Sequence, residues 1–237
     1  MKTQREFLYF LASLVGQLVV GLLLGFSLLP SFYFLRWSWS VLGTYTDTVL
    51  GVLGLGFSLG VAFLLFGNTL LILIVLVRNL FRLRNHEQRA AVVSLVTIKV
   101  ALYDLLLHLA NTFFIPVLKG SYFSLLFYRG MGAKIGKGTL IATHRLWDCD
   151  LIEIGEFCII GSNSSISAHV LQGDRGRMRR VRIGNNVTIG ANTSVMPGVV
   201  IEDNVIVGPS SLVPMGMRLE SGKSYIGVPV KQVSRKD

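Results

Sequence analysis

From Ile135 onward an aliphatic side chain returns every six residues, usually with a small or polar residue directly behind it. Ile135-Gly136 opens the series and Ile141 continues it, and Ile154-Gly155, Ile160-Gly161 and Ile166-Ser167 follow an irregular stretch. Ile183-Gly184, Ile189-Gly190, Val195, Ile201, Val207-Gly208, Val213 and Leu219 then keep strict steps of six. Neither the period of about 3.6 residues of a helix nor simple alternation fits this spacing, which sets helix bundles and sandwiches aside. The spacing predicts a solenoid. Each short strand turns one aliphatic side chain inward, a corner follows, and stacked coils join those side chains into one apolar column. Asn185-Asn186, Asn192, Asp203-Asn204 and the glycines are residues that tolerate the positive φ of such corners.

At these residues the chain resembles the hexapeptide-repeat acyltransferases, whose Ile-Gly-x-x-Val/Ser pattern recurs as Ile183-Gly-Asn-Asn-Val-Thr and Ile189-Gly-Ala-Asn-Thr-Ser. Val195-Met-Pro-Gly198-Val-Val-Ile201 and the closing Ile226-Gly-Val-Pro229 are also typical of that family, and the resemblance covers about residues 128–230. It implies an all-β left-handed parallel β-helix, an exception to the right-handed crossover rule. It also implies a homotrimer with active sites at the three subunit interfaces. A narrower resemblance rests on Asp150-Leu-Ile-Glu-Ile-Gly155, His169-Val-Leu-Gln-Gly-Asp174-Arg175 and Arg180-Val-Arg-Ile-Gly184. These look like the membrane-bound C-terminal units of peptide synthetases of the ε-poly-lysine type, here without an adenylation or carrier domain.

The series breaks twice. Between Ile166 and Ile183 the run Leu171-Gln-Gly-Asp-Arg-Gly-Arg-Met-Arg-Arg180 abandons the pattern and predicts a loop leaving the coil, with Gly173 and Gly176 as hinges of a mobile lid. In the family such an excursion closes over the neighbouring subunit's site and carries the catalytic histidine near its base, which the resemblance maps onto His169. Acyl transfer from a thioester needs a base for the acceptor's proton, and histidine, with a reference pKa of about 6.5, suits that at neutral pH. A carboxylate on its other ring nitrogen would fix the tautomer, and Asp148, Asp150 and Asp174 are the candidates, from the same or another subunit.

His144 lies in the other break, Thr143-His-Arg-Leu-Trp-Asp148, as an alternative base, an acceptor-orienting group or a surface residue at a bulge. Arg175, Arg177, Arg179 and Arg180, with Arg182 just beyond, suit the phosphates of coenzyme A or anionic headgroups, or else form a solvated charged loop. The resemblance adds Tyr225 to Pro229 and Lys231 at the nucleotide end of the donor. Cys149 and Cys158 lack the paired spacing of a zinc or redox motif, and Cys158 reads as a buried structural thiol. No metal is expected. A hydratase of the carbonic-anhydrase kind also uses this coil but needs three histidine ligands, and only His144 and His169 fall within it.

The N-terminal part is of another character. Phe7 to Leu35 and Thr48 to Val77 contain no Asp, Glu, Lys or Arg, so each is long enough to cross the roughly 30 Å hydrocarbon layer as a helix. The first is too long for the apolar core of a cleaved signal peptide and is expected to stay in the mature protein. Gly21-Leu-Leu-Leu-Gly25 and Gly56-Phe-Ser-Leu-Gly60 have the spacing that lets two membrane helices approach, or reflect only the frequency of glycine in such helices. Lys2 and Arg5 precede the first span, and Arg78, Arg82, Arg84 and Arg89 follow the second, which places both ends in the cytoplasm. Ala90 to Leu118 is apolar but carries Lys99, Asp104 and His108, and Thr97, Asp104, His108 and Asn111 share one helical face. It reads as an amphipathic helix at the interface or on the hairpin rather than a third span, with Asp104 and His108 as an i, i+4 pair or an interfacial polar stripe.

The expected organisation is a transmembrane hairpin over 1–89, an amphipathic or third membrane helix and linker over 90–127, the β-helix over 128–230 and a basic tail over 231–237. Net charge is +10, but the arginines gather beside membrane segments and in one loop, with no nucleic-acid motif. The leading expectation is a multi-pass protein of the cytoplasmic (inner) membrane, its coil facing the cytoplasm. It would move an acyl group, in the first instance acetyl, from acyl-CoA (acetyl-CoA) to a hydroxyl or amine of a membrane-associated acceptor. A condensing unit acting on a carrier-protein thioester and a non-enzymatic trimeric scaffold are the alternatives.

Overall fold

A computed structural model describes residues 2–91, 95–172 and 175–233. The chain forms two compact units, Met1–Val77 and Arg78–Asp237.

In the first unit α1 (Lys2–Leu42) and α2 (Val49–Leu80) are joined through a 3-10 turn at Gly43–Tyr45. Its polarity is inverted relative to a water-soluble helix pair. Leu22, Phe26, Phe57 and Leu59 face outward, while Ser27, Ser31, Ser38 and Ser58 are buried. The Ser31 hydroxyl donates to the Ala62 carbonyl across the helix pair at 2.7 Å. Leu23, Ala62 and Leu70 are buried beside these serines, and of the four Ser31 makes the hydrogen bond across the pair. Around Gly21, Gly25, Gly56 and Gly60 nothing outside the local helix backbone comes within 4 Å of an added side-chain carbon, so the glycine pairs are not the contact the sequence suggested. Close approach occurs instead at the turn, where a side chain on Gly51 would strike the Tyr45 carbonyl.

In the second unit the six-residue period becomes three parallel sheets. One stacks Ile141, Ile160, Ile189, Val207 and Tyr225; the second stacks Ile135, Ile154, Ile183, Ile201 and Leu219; the third stacks Ile166, Val195 and Val213. Every one of these side chains is buried. Pairing partners in the strict region lie three hexapeptides apart, as in Ile189 against Val207 and Ile201 against Leu219. That is the rung length of a three-sided coil. Leu146 takes the third-face place below Ile166 through an isolated parallel bridge, and it is buried too. Asn186, Asn192 and Asn204 turn corners with φ of 53°, 58° and 59°. Their neighbours Asn185 and Asp203 instead accept from backbone N–H groups of Glu156 and Asn185, at 2.8 and 2.6 Å, and tie one coil to the next. Cys158 is buried, with its Sγ 3.0 Å from the Gly184 carbonyl.

Before the coil come α3 (Leu95–Phe113), α4 (Ile115–Leu118) and α5 (Tyr122–Gly130). They cover most of the segment expected as an amphipathic or third membrane helix and linker over 90–127, and they belong to the same compact unit as the coil. Tyr103, Leu106, Leu107 and Ala110 are buried there, the Tyr103 hydroxyl donates to the Met131 carbonyl at 2.9 Å, and Tyr128 donates to Asn111 at 3.2 Å. The polar stripe of α3 accordingly splits: Asn111 turns inward and His108 outward. At the other end Val230–Val233 pairs antiparallel with Ser224–Gly227, so Lys231 sits in a strand rather than opening a basic tail; residues 234–237 lie outside the described residues.

Candidate active site

The two breaks in the hexapeptide series meet at one place. After Leu146 the chain turns through Asp148, a non-glycine residue with φ of 58°, into a 3-10 turn at Cys149–Leu151. That left-handed backbone is uncommon for a side-chain-bearing residue, and aspartate is among the few that adopt it readily. It leaves the Asp148 carboxyl fully buried. After Ile166 the other break is no free loop. Strands His169–Gln172 and Arg175–Met178 form an antiparallel hairpin, closed at its base by the Arg179 N–H donating to the Ala168 carbonyl at 2.8 Å. A further strand, Gln88–Ala91, pairs antiparallel with Arg175–Met178. Gly176 lies in register between Leu171 and Ala90, so it is a rung of a three-stranded sheet instead of the hinge of a lid. Gly173 and Asp174, the other expected hinge and a candidate partner for the histidine, lie outside the described residues.

At the start of this hairpin the Nδ1 of His169 stands 2.6 Å from Oδ2 of Asp148. Asp148 also accepts from the Ala168 N–H at 3.3 Å and, on its other oxygen, from the Asn85 side-chain amide at 3.1 Å. With the carboxylate accepting on both oxygens, the proton between the two side chains belongs to Nδ1, which leaves Nε2 as the basic nitrogen. The imidazole is about one-third exposed and its partner not at all. The hydrogen bond from Asp148 raises the His169 pKa above its ordinary value against the opposing effect of burial, with the charges of Asp148 and Asp104 adding to the rise.

Asp104 reaches the same place from α3. Ligand atoms of Asp104, Asp148 and His169 lie within 4.8 Å of one another. Burial foremost, then the neighbouring Asp148 charge, pushes the Asp104 carboxyl up to about 7, with His169 pulling the other way. Its Oδ1 is buried without a partner among the described residues. A cation at this cluster would have to compete with the His169–Asp148 hydrogen bond for the same atoms. The pairing of Asp104 with His108 expected along the helix does not form the centre, since His108 is exposed.

Asp150, a second candidate partner for the histidine, is engaged elsewhere. It forms an ion pair with Arg78 and accepts from the Asn85 backbone N–H at 3.1 Å. Gly132 makes room for this pair, because any side chain there would collide with the Asp150 carboxyl and the Arg78 guanidinium. His144 sits in the same irregular stretch with its Nδ1 buried and unpartnered among the described residues, and burial, then Lys119 and Arg145, lower its pKa.

The arginines divide. Arg177 pairs in register with Val170, one step from His169. Arg179 is exposed and lies across the corners at Gly198 and Gly216, where added side-chain carbons would come within 3.1 and 3.2 Å of it. Arg180 and Arg182 both pair with Glu153, at 2.8 and 3.3 Å. Arg175 occupies a strand position opposite Gln172, and Lys231 one opposite Ile226. Asn85 had no signal in the sequence: it falls in the basic run after the second apolar stretch, with no period to single it out.

Residues 180–214 match the bacterial transferase hexapeptide (six repeats) family model. The putative acetyltransferase YvoF of Bacillus subtilis is 40% identical over 83 residues, 34% of this chain and 48% of that protein. Delta-poly-L-ornithine synthetase of Acinetobacter baumannii is 28% identical over 102 residues, 43% of this chain and 8% of the synthetase. Among solved structures, galactoside acetyltransferase in complex with coenzyme A gives a TM-score of 0.40 at 20% identity, over 47% of this chain and 69% of that one. The chain thus spans about half the length, or far less, of the curated relatives it matches.

Proposed function

We propose that this chain, whose coil is of the hexapeptide-transferase type, is a membrane-anchored acyltransferase that moves an acetyl group from acetyl-CoA to a hydroxyl or amine. The observation that carries the proposal is the 2.6 Å contact between His169 and the buried Asp148, at the base of an arginine-bearing hairpin. Asp148 holds the imidazole in the Nδ1–H tautomer, so Nε2 is left as the general base. As the acceptor oxygen or nitrogen attacks the thioester carbonyl, Nε2 takes its proton. Asp148 stabilises the imidazolium that results. Collapse of the tetrahedral intermediate breaks the carbon–sulfur bond, and the imidazolium returns the proton to the departing thiolate.

Arg175, Arg177 and Arg179, with Arg180 and Lys231, are the groups proposed to receive the donor's phosphates; Arg179 leads because its side chain is exposed along the coil corners. The bilayer reading rests on the inverted hairpin. Ser13–Tyr45 and Val49–Leu80 are long and apolar enough to cross a membrane, and the arginines after the second favour a cytoplasmic coil. Such an anchor would hold the enzyme beside a membrane-associated acceptor. Assembly as a homotrimer, with the coil faces of neighbouring copies completing each donor site, belongs to the same proposal. The match to a poly-ornithine synthetase supports a second reading, in which the thioester is carried by a partner protein and the product is an amide.

Calorimetric titration of the detergent-solubilised protein with acetyl-CoA and free coenzyme A tests the first reading. Saturable binding of one ligand per chain, weakened by Arg179→Ala, is the expected result. No binding at millimolar ligand would remove it and move the carrier thioester to the front.

A further inference from the structure

The candidate base and its carboxylate come from the coil, yet the coil does not hold them alone. Within the second unit the segment from Arg78 to Ala91 runs along the two irregular stretches and attaches to them at successive points. The Arg78 guanidinium pairs with Asp150. The Asn85 backbone N–H donates to Asp150 at 3.1 Å, and its side-chain amide donates to Oδ1 of Asp148 at 3.1 Å. The Glu87 carboxylate accepts from the Arg180 N–H at 2.7 Å, and Gln88–Ala91 pairs with the outer strand of the hairpin. Asn85 is itself buried.

We propose that residues 78–91 are a strap that completes the active site, with Asn85 as the positioning residue of the His169–Asp148 pair. Asp148 has two oxygens. The one that faces His169 is free to do so only while the other has a donor, and in this buried place the only side-chain donor to it is Asn85 among the described residues. An unmet carboxylate oxygen at such a site carries a large desolvation penalty. Without the amide the carboxylate would rotate toward other donors or draw a proton, and the imidazole would lose its fixed tautomer. The inference rests on His169 and Asp148 being the catalytic pair, and it adds that the coil alone does not encode a working one.

Deprotonating the imidazolium leaves the pair with one uncompensated negative charge, and the Asn85 amide stabilises that state. Removing the amide disfavours it, so the pair should hold its proton to higher pH. The other charges bearing on His169 are Asp148 itself and Asp104 from α3. Arg78 and Asp150 stand behind Asn85; Arg177 precedes Met178 on the strand opposite His169, and Arg179 follows that strand.

Nuclear magnetic resonance titration of ring-labelled histidine in the full-length protein in detergent, with the His169 signal assigned by His169→Gln, is the test. Asn85→Leu, which keeps the volume and removes the donor, should move the His169 midpoint up by about one pH unit and mix its tautomers. Asn85→Ala, which leaves room for a water, should give a smaller shift in the same direction. Thr139→Val removes a comparably buried hydrogen bond within the coil, from Thr139 to the Gly155 carbonyl, and should leave the midpoint where it is. An unmoved His169 midpoint in both folded Asn85 variants, or an equal shift in Thr139→Val, overturns the proposal. Neither result depends on acetyl transfer: if His169→Ala retains full activity, the functional reading fails while the strap stands or falls on the titration.

Discussion

Above Ile183 the coil runs without a break through Ile189, Val195, Ile201, Val207, Val213 and Leu219, each buried and each stacked on a partner three repeats away. Below Ile183 the same architecture is interrupted twice, once around Leu146 to Leu151 and once by the hairpin from His169 to Met178. The regular part holds corner ladders, apolar columns and surface ion pairs such as Arg218 with Glu202. The interrupted part holds a buried carboxylate in left-handed backbone and a histidine hydrogen-bonded to it, and a second carboxylate, Asp104 of α3, joins them with its pKa pushed up to about 7. A strict period leaves each inward position to an aliphatic residue and each corner to a turn former. Polar groups can converge only where the period is broken, because only there does the backbone aim a side chain outside the repeat's two options.

Substitutions on either side of Ile183 should therefore fail in different ways. The largest effect is expected from His169→Ala, which should lower acetyl transfer by about 10²- to 10⁴-fold without unfolding the chain; a steady-state assay of thiol release beside a melting curve separates the two. Next comes Val207→Ala in the regular column. By loss of fully buried methyl groups it should destabilise the coil by about 1 to 3 kcal/mol, measured by denaturant unfolding, and leave the His169 titration untouched. A shift of that titration would break the separation between the two regions. Arg179→Ala should weaken coenzyme A binding by about tenfold, through one charged contact, while stability stays the same.

The smallest expected effect concerns pH. On the proposed reading His169 works as neutral imidazole, so the rate should rise with pH through its elevated pKa. Asp104→Asn removes a charge that raises that pKa, and the rising limb should move to lower pH by a fraction of a unit. An upward move would show that Asp104 acts on the imidazole in another way.

Much of the coil was legible because one physical rule repeats. Each inward aliphatic named from its spacing is buried, from Ile135 to Leu219. Leu146 escaped because it comes one residue early, displaced by the turn that places Asp148. His169 stood out by its position at the edge of a broken period and by resemblance. The choice among Asp148, Asp150 and Asp174 was beyond the sequence, since it depends on which carboxylate the backbone turns inward and which meets Arg78 first. Asn85 and Asp104 were harder still. Both reach the pair from outside the coil, across long separations in sequence, and contacts of that kind leave no periodic trace. The amphipathic pattern of α3 says only that one side is polar, without saying that Asp104 meets His169 and Asp148.

The rung length carries a consequence for how such chains can change over generations. Because strands in the regular part pair across three hexapeptides, a duplication or deletion of one such block beyond Gly184 would lengthen or shorten the coil by one strand spacing, about 4.8 Å. All three faces would stay in register. The length of the coil beyond that point would alter, while His169, Asp148 and the strap behind them would be copied unchanged. Size and chemistry in this chain are thus separate hereditary quantities, one counted in blocks and the other fixed at the interruption.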